Sequence, residues 1–139
     1  PHTILGGSDA GAHGDLACGG IYTTRFFEES VRQKGLLPLE EAIHHLTDAP
    51  ARFYGLRNRG RLALGHYADI VLFDPHMIGA GPVYKRSDLP GGAWRLYSDA
   101  KGIQHVIVNG VCIRRDGSIT GALPGKLLTA GEDTETVAI

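Results

Sequence analysis

Gln104-His105-Val106-Ile107-Val108-Asn109-Gly110-Val111-Cys112-Ile113-Arg114-Arg115 consists of two runs rich in β-branched residues on either side of Asn-Gly. A type I′ turn needs positive φ at both central residues, which Asn and Gly tolerate best, so the stretch reads as a β-hairpin. Asp116-Gly117 repeats that chemistry and predicts a second turn directly after it. Upstream, Ala68-Asp69-Ile70-Val71-Leu72-Phe73-Asp74 is an apolar strand bounded by aspartates, and residues 61–64 are a shorter extended candidate. From 75 to 100 proline and glycine accumulate without periodicity, which predicts a long loop of the kind that often carries function.

The first half has a different rhythm. Thr3-Ile4-Leu5-Gly6-Gly7 is short, β-branched and apolar and runs into Ser8-Asp9-Ala10-Gly11-Ala12-His13, so a buried strand is expected with Asp9 at its C-terminal mouth. Phe26, Phe27 and Val31 recur at helical spacing among charges over residues 23–34, and Gly35 is a natural stop. Pro38 opens a second helix whose stripe is Leu39, Ala42, Ile43 and Leu46. A third, short helix is expected after Thr47 or Asp48 as cap, with Pro50 in its first turn, Phe53 on its buried side and Gly55 closing it. The tail from Thr129 onward reads as frayed.

Composition narrows the classes. The 139 residues are too few for a closed barrel of eight strand-helix units, which takes about 200–250. A formal net charge of -1 gives no single-sign field, which argues against nucleic acid or an anionic membrane surface as partner. Cys18 and Cys112 form no C-x-x-C pair and read as buried free thiols. With no apolar span and no leader pattern, a soluble cytoplasmic protein is expected. The chain opens on Pro1 and its single methionine is Met77, which suggests a segment of something longer.

Several catalytic signatures fail on spacing. The run Gly121-Ala122-Leu123-Pro124-Gly125-Lys126-Leu127 is one residue short of a phosphate loop and lacks its terminal Ser or Thr. Gly6-Gly7-Ser8-Asp9-Ala10 lacks the last glycine of a nucleophile elbow, so Ser8 is no hydrolase nucleophile. His44 and His45 diverge by about 100° on a helix and cannot share a metal, so pairing with Glu40 and Glu41 is the ordinary role. His2, His66, His76 and His105 have no partner at ligand spacing. Asp9 differs, because small neighbours leave room for a metal or substrate to approach it. An Asx-turn or a helix cap is the ordinary alternative for such an aspartate. His13, four residues on, could donate to substrate, though taken alone it reads as structural.

Gly7-Ser8-Asp9-Ala10-Gly11-Ala12-His13, Leu37-Pro38-Leu39-Glu40-Glu41-Ala42 and Thr47-Asp48-Ala49-Pro50-Ala51-Arg52-Phe53-Tyr54-Gly55-Leu56 resemble the C-terminal third of amidohydrolase-superfamily enzymes. The nearest are the N-acyl-D-amino-acid deacylases, or D-aminoacylases. The similarity continues through Arg59-Gly60-Arg61-Leu62, Gly65-His66-Tyr67-Ala68-Asp69-Ile70-Val71-Leu72-Phe73-Asp74-Pro75, Val108-Asn109-Gly110-Val111 and residues 121–128. The resemblance implies an α/β segment: the last strand and helices of a TIM-like barrel over residues 1–58, then the C-terminal share of a small β-sandwich over 59–128, with 129–139 a tail. It implies that Asp9 is the last-strand aspartate, which in that family contacts zinc and acts as general base and then general acid. Ser8 and His13 would lie next to substrate or behind the groups that touch it.

The family's other metal ligands, a His-x-His after the first strand, a bridging Cys, Glu or modified Lys and two further histidines, belong to earlier parts of such enzymes. One or two zinc ions are therefore expected in a complete enzyme, with weak or no zinc binding and no turnover in these 139 residues alone. The implied substrate is a small amide, and exposed strand edges would favour self-association. Two alternatives stand beside this reading: a non-catalytic β-rich interaction module, and part of a cyclic-amide hydrolase.

Overall fold

The computed structural model describes residues 3–11 and 13–137, and its chain gathers into two compact units. One comprises Glu40–Asp74 and the chain from Ile103 onward, the other Gly6–Leu39 and Pro75–Gly102.

The first unit is built on the hairpin. Strands β6 (Ile103–Val108) and β7 (Val111–Arg115) pair antiparallel around Asn109 and Gly110, whose φ values of 49° and 79° are those of the expected turn. Asp116 and Gly117, at 47° and 84°, reverse the chain again into β8 (Ser118–Ile119). With β1 (Ile70–Phe73) the sheet order is β1-β6-β7-β8, all antiparallel. Two helices belong with it, α2 (Leu39–Leu46) and α3 (Asp48–Phe53).

Ala42 and Ala51 are the buried apolar residues of those helices, whereas Phe53, expected on the buried face, is 55% exposed. Thr47 does not cap α3 through its side chain; its hydroxyl donates back to the Ile43 carbonyl at 2.7 Å. His45 meets Glu41 at 3.7 Å as expected, while His44 meets Asp48 at 3.6 Å instead of Glu40. Residues 61–64 form bends and a turn, with no strand.

The tail is tied down, contrary to expectation. The Arg57 amide donates to the Asp133 carbonyl and the Glu135 amide to the Gly55 carbonyl, each at 2.9 Å, and Lys126 pairs with the Asp133 carboxylate at 2.5 Å. Gly55 has φ +63°, and a Cβ there would lie 2.1 Å from the Glu135 carbonyl oxygen, so this crossing admits only glycine.

The second unit holds a helix that changes pitch. A 3₁₀ turn, Gly19–Ile21, leads into α1 (Tyr22–Arg25) and then a π-helical stretch, Phe26–Gln33, which closes with the Lys34 amide on the Glu29 carbonyl five residues back. Ile21, Thr24, Phe27 and Ile78 are buried there. Arg32 reaches the Ile78 carbonyl at 2.5 Å and Glu28 accepts from the Ala80 amide at 3.0 Å, which anchors the helix to the segment after Pro75. That segment is less irregular than predicted. Short strands β2 (Gly79–Ala80) and β5 (Ala100–Lys101) pair, as do β3 (Tyr84–Arg86) and β4 (Arg95–Tyr97).

Residues 3–9, expected as a strand, have no ladder. A strand exists only through hydrogen bonds to a neighbour, and among the described residues no strand lies alongside to supply them. Cys18 and Cys112 are free as expected but only half-buried.

In the first unit the Asp69 carboxylate pairs with Arg59 and accepts from the Asn109 amide at 2.8 Å. Asp69→Ala should cost about 2–3 kcal/mol in chemical denaturation, because it strands a guanidinium that is only 13% exposed. A loss under about 0.5 kcal/mol would show this junction to be incidental.

Candidate active site

Ser8, Asp9 and His13 share one turn-rich loop, whose other expected small residue, Ala12, lies outside the described residues, as does His2. The Ser8 hydroxyl accepts from the Ala10 amide at 3.1 Å, a local turn that uses the side chain structurally. Asp9 follows with φ +54° and an exposed side chain, so its carboxylate faces outward. His13, also left-handed at φ +48° and exposed, anchors the next turn through its carbonyl, which accepts from Leu16 and Ala17 at 2.8 and 3.0 Å.

Non-glycine residues at positive φ are uncommon, and two within five positions mark a loop shaped by its surroundings. The shaping contact is Gly19: a Cβ there would come within 2.2 Å of the Ser8 carbonyl, so the chain returning toward α1 packs directly on the peptide before Asp9. The Leu96 amide donates to the Gly14 carbonyl at 2.6 Å and joins β4 to the same loop.

Between these segments lies a cavity of about 690 Å³ whose wall includes Ala10, Gly11 and Gly14 on one side and Trp94, Arg95 and Tyr97 on the other. Its volume is that of a small-molecule site. Arg95 does not project freely into it. Its Nε and Nη2 both donate at 2.8 Å to the two oxygens of Asp88, a bidentate pair, and Arg86 adds a contact to Asp88 at 3.0 Å. The Arg95 hydrogen bonds hold the Asp88 carboxyl below its ordinary range, and Asp88 in turn raises Arg95.

Zinc in a catalytic site takes three protein ligands and keeps one position open. Among the described residues no group of three or more His, Cys, Asp or Glu converges to hold a metal. No helix of the described residues is long and apolar enough to cross a membrane. Sequence reading missed the Asp88–Arg95 clamp and a second cavity lined by arginines. The alternation Arg57-x-Arg59-x-Arg61 was a visible signal for the latter.

Asp88 favours its charged form in the fold, so its contribution is present above its unfolded pKa and is lost as pH falls through its lowered folded value. Trp94, the single tryptophan, stands one residue from Arg95 and reports the loss. Its emission should step below about pH 4. Asp88→Asn should remove that step, and an identical acid profile in the variant would assign it to another group.

Three sets of relatives bear on this loop. The chain is 36% identical to N-acyl-D-glutamate deacylase of Alcaligenes xylosoxydans xylosoxydans in an alignment of 113 residues that covers 71% of this chain and 21% of the relative. It is 31% identical to the D-aminoacylase of the same organism over 124 residues, or 88% of this chain and 24% of the relative. Crystal structures of a D-aminoacylase, among them one on the role of its binuclear metal centre, match at TM-score 0.57 and 34% identity over 72% of this chain and 19% of theirs. The chain thus spans about a fifth to a quarter of the length of the proteins it matches, and its mixture of helix and sheet is that of amidohydrolase-fold neighbours. The pattern of the amidohydrolase family runs through residues 1–114, across the Asp9 loop, α1 to α3 and all but the last residue of the hairpin; the chain belongs to that family.

Proposed function

We propose that this chain is the C-terminal part of a metal-dependent amidohydrolase that cleaves the amide C–N bond of N-acyl-D-amino acids. The observation that carries the reading is an exposed Asp9 in a loop of small residues whose next members, Ala10 and Gly11, line a cavity, within a chain whose relatives are deacylases. In the complete enzyme, residues 1–58 would supply the last barrel strand and helices, and 59–128 the C-terminal share of a β-sandwich. Thr3–Asp9 then gains the parallel neighbour it lacks here.

One or two zinc ions would take Asp9 as one ligand, with the rest from outside these residues. Bound zinc lowers the pKa of water toward about 7. The role assigned to Asp9 is proton transfer: its carboxylate takes a proton from the attacking water as oxygen bonds to the amide carbon, then returns it to nitrogen as the C–N bond breaks. The products are a carboxylate and a free amine. Ser8 and His13 lie close in sequence to Asp9 and would contact the substrate or support the groups that do. The hold of the Ala10 amide on the Ser8 hydroxyl supports a positioning role for Ser8.

The exposed apolar surface supports the view that these residues are completed by others. Leu64, Leu123 and Leu127 are 103%, 95% and 91% exposed, and β1 lies at the sheet edge with Val71 and Leu72 open. Such edges recruit partners.

Asp9→Asn in the complete enzyme should lower kcat on N-acetyl-D-amino acids by at least about 10²-fold with the circular dichroism spectrum unchanged. Turnover retained in a folded, metal-loaded variant rejects the assignment. The 139 residues expressed alone should take up no stoichiometric tight zinc and should self-associate in light scattering; a monodisperse monomer holding zinc at one equivalent contradicts both.

A further inference from the structure

The arginine-lined cavity belongs to the unit that does not contain Asp9, and it has a volume of about 670 Å³. We propose that it binds a small dianionic oxyanion of the phosphate class, inorganic phosphate or a phosphate monoester, at a site separate from hydrolysis. Its wall carries four arginines, Arg52, Arg57, Arg59 and Arg61, against two carboxylates, Asp48 and Glu135, so the balance is 4 − 2 = +2.

Pairing reduces that excess to a single charge, because Arg59 is matched by Asp69 from outside the wall while Glu135 remains within it. Asp48 is taken by Arg52 at 2.7 Å. Arg59 is fixed by Asp69, by the Asn109 side-chain oxygen at 3.3 Å and by stacking 4.1 Å over the Tyr67 ring. That leaves Arg57 and Arg61, both exposed, with long contacts to neutral acceptors: Arg57 to the Glu132 carbonyl at 3.5 Å and Arg61 to His66 Nε2 at 3.4 Å. Among the described residues neither forms an ion pair with Glu135.

His66 adds a second mismatch. If Nε2 accepts from Arg61, the neutral ring carries its proton on Nδ1, and Nδ1 is buried without an acceptor. Nδ1 is buried away from the cavity, so the donors the wall offers an anion are the guanidiniums of Arg57 and Arg61, which complement a phosphate. Guanidinium forks match its oxygens bidentately, and Arg57 and Arg61 present two forks free of ion pairs. The backbone beneath is already pinned, since the Arg57 amide is bonded to Asp133 and Gly55 to Glu135, so little ordering is left for binding to pay in entropy. A concave site of this volume suits a small molecule rather than a nucleic acid strand or a protein surface.

The test is isothermal titration of the full-length holoenzyme with inorganic phosphate at low ionic strength. One saturable equivalent is expected, weakening as salt rises. Arg57→Ala/Arg61→Ala should weaken it by about 10-fold or more while leaving the melting temperature and deacylase activity in place. Asp9→Asn should leave phosphate binding unchanged. Absence of saturable binding overturns the proposal, as does binding indifferent to the arginine pair. Binding that is lost with Asp9→Asn and kept in the arginine variant puts the phosphate at the catalytic centre, and equally overturns it. None of these outcomes depends on the deacylase assignment, which the Asp9 kinetics test separately.

Discussion

The Asp69 carboxylate holds the first unit together, because three segments distant in sequence meet on it. One oxygen pairs with Arg59 from the turn after α3, the other accepts from the Asn109 amide at the hairpin tip, and Asp69 itself stands immediately before β1. Asn109 closes the figure by accepting from Arg59 and donating to the Pro124 carbonyl at 2.7 Å. An Arg59 that is mostly buried needs such satisfaction, since an unpaired charge away from water is costly. Few large side chains are buried, so specificity in this unit comes chiefly from this polar junction and the ladder beside it.

The second unit depends on close backbone approach. Small residues let the chain fold back on the peptide preceding Asp9, and the Asp88–Arg95 pair stiffens the facing wall. The Asp9 carboxylate is exposed while the backbone that carries it is held in place. Left-handed backbone at Asp9 and His13 is a sign of that holding.

The parts of this fold that the sequence foretold are those set by local rules. Asn109-Gly110 and Asp116-Gly117 announced their turns because few residue pairs adopt those dihedral angles, and the stripe from Leu39 to Leu46 announced α2. What depends on distant partners was not legible. Residues 3–9 have strand chemistry without a neighbour, the strands between 79 and 101 are too short for alternation to register, and Phe53 is outside because Ala51 occupies the buried face of α3. Asp9 stood out through its small neighbours. The cationic cavity showed only as the alternation of Arg57, Arg59 and Arg61, and each arginine in isolation looks like a solvated surface charge.

The pairing of residues 55–57 with 133–135 has a consequence for biogenesis. On the ribosome the turn bearing Arg57 emerges long before its backbone partners, so the amides and carbonyls that will meet the tail stay solvated until synthesis has passed Glu135. The hairpin, by contrast, can close as soon as it leaves the exit tunnel. Vectorial synthesis therefore leaves this turn as one of the last pieces to set, and a stalled or prematurely terminated product would present it open to proteases.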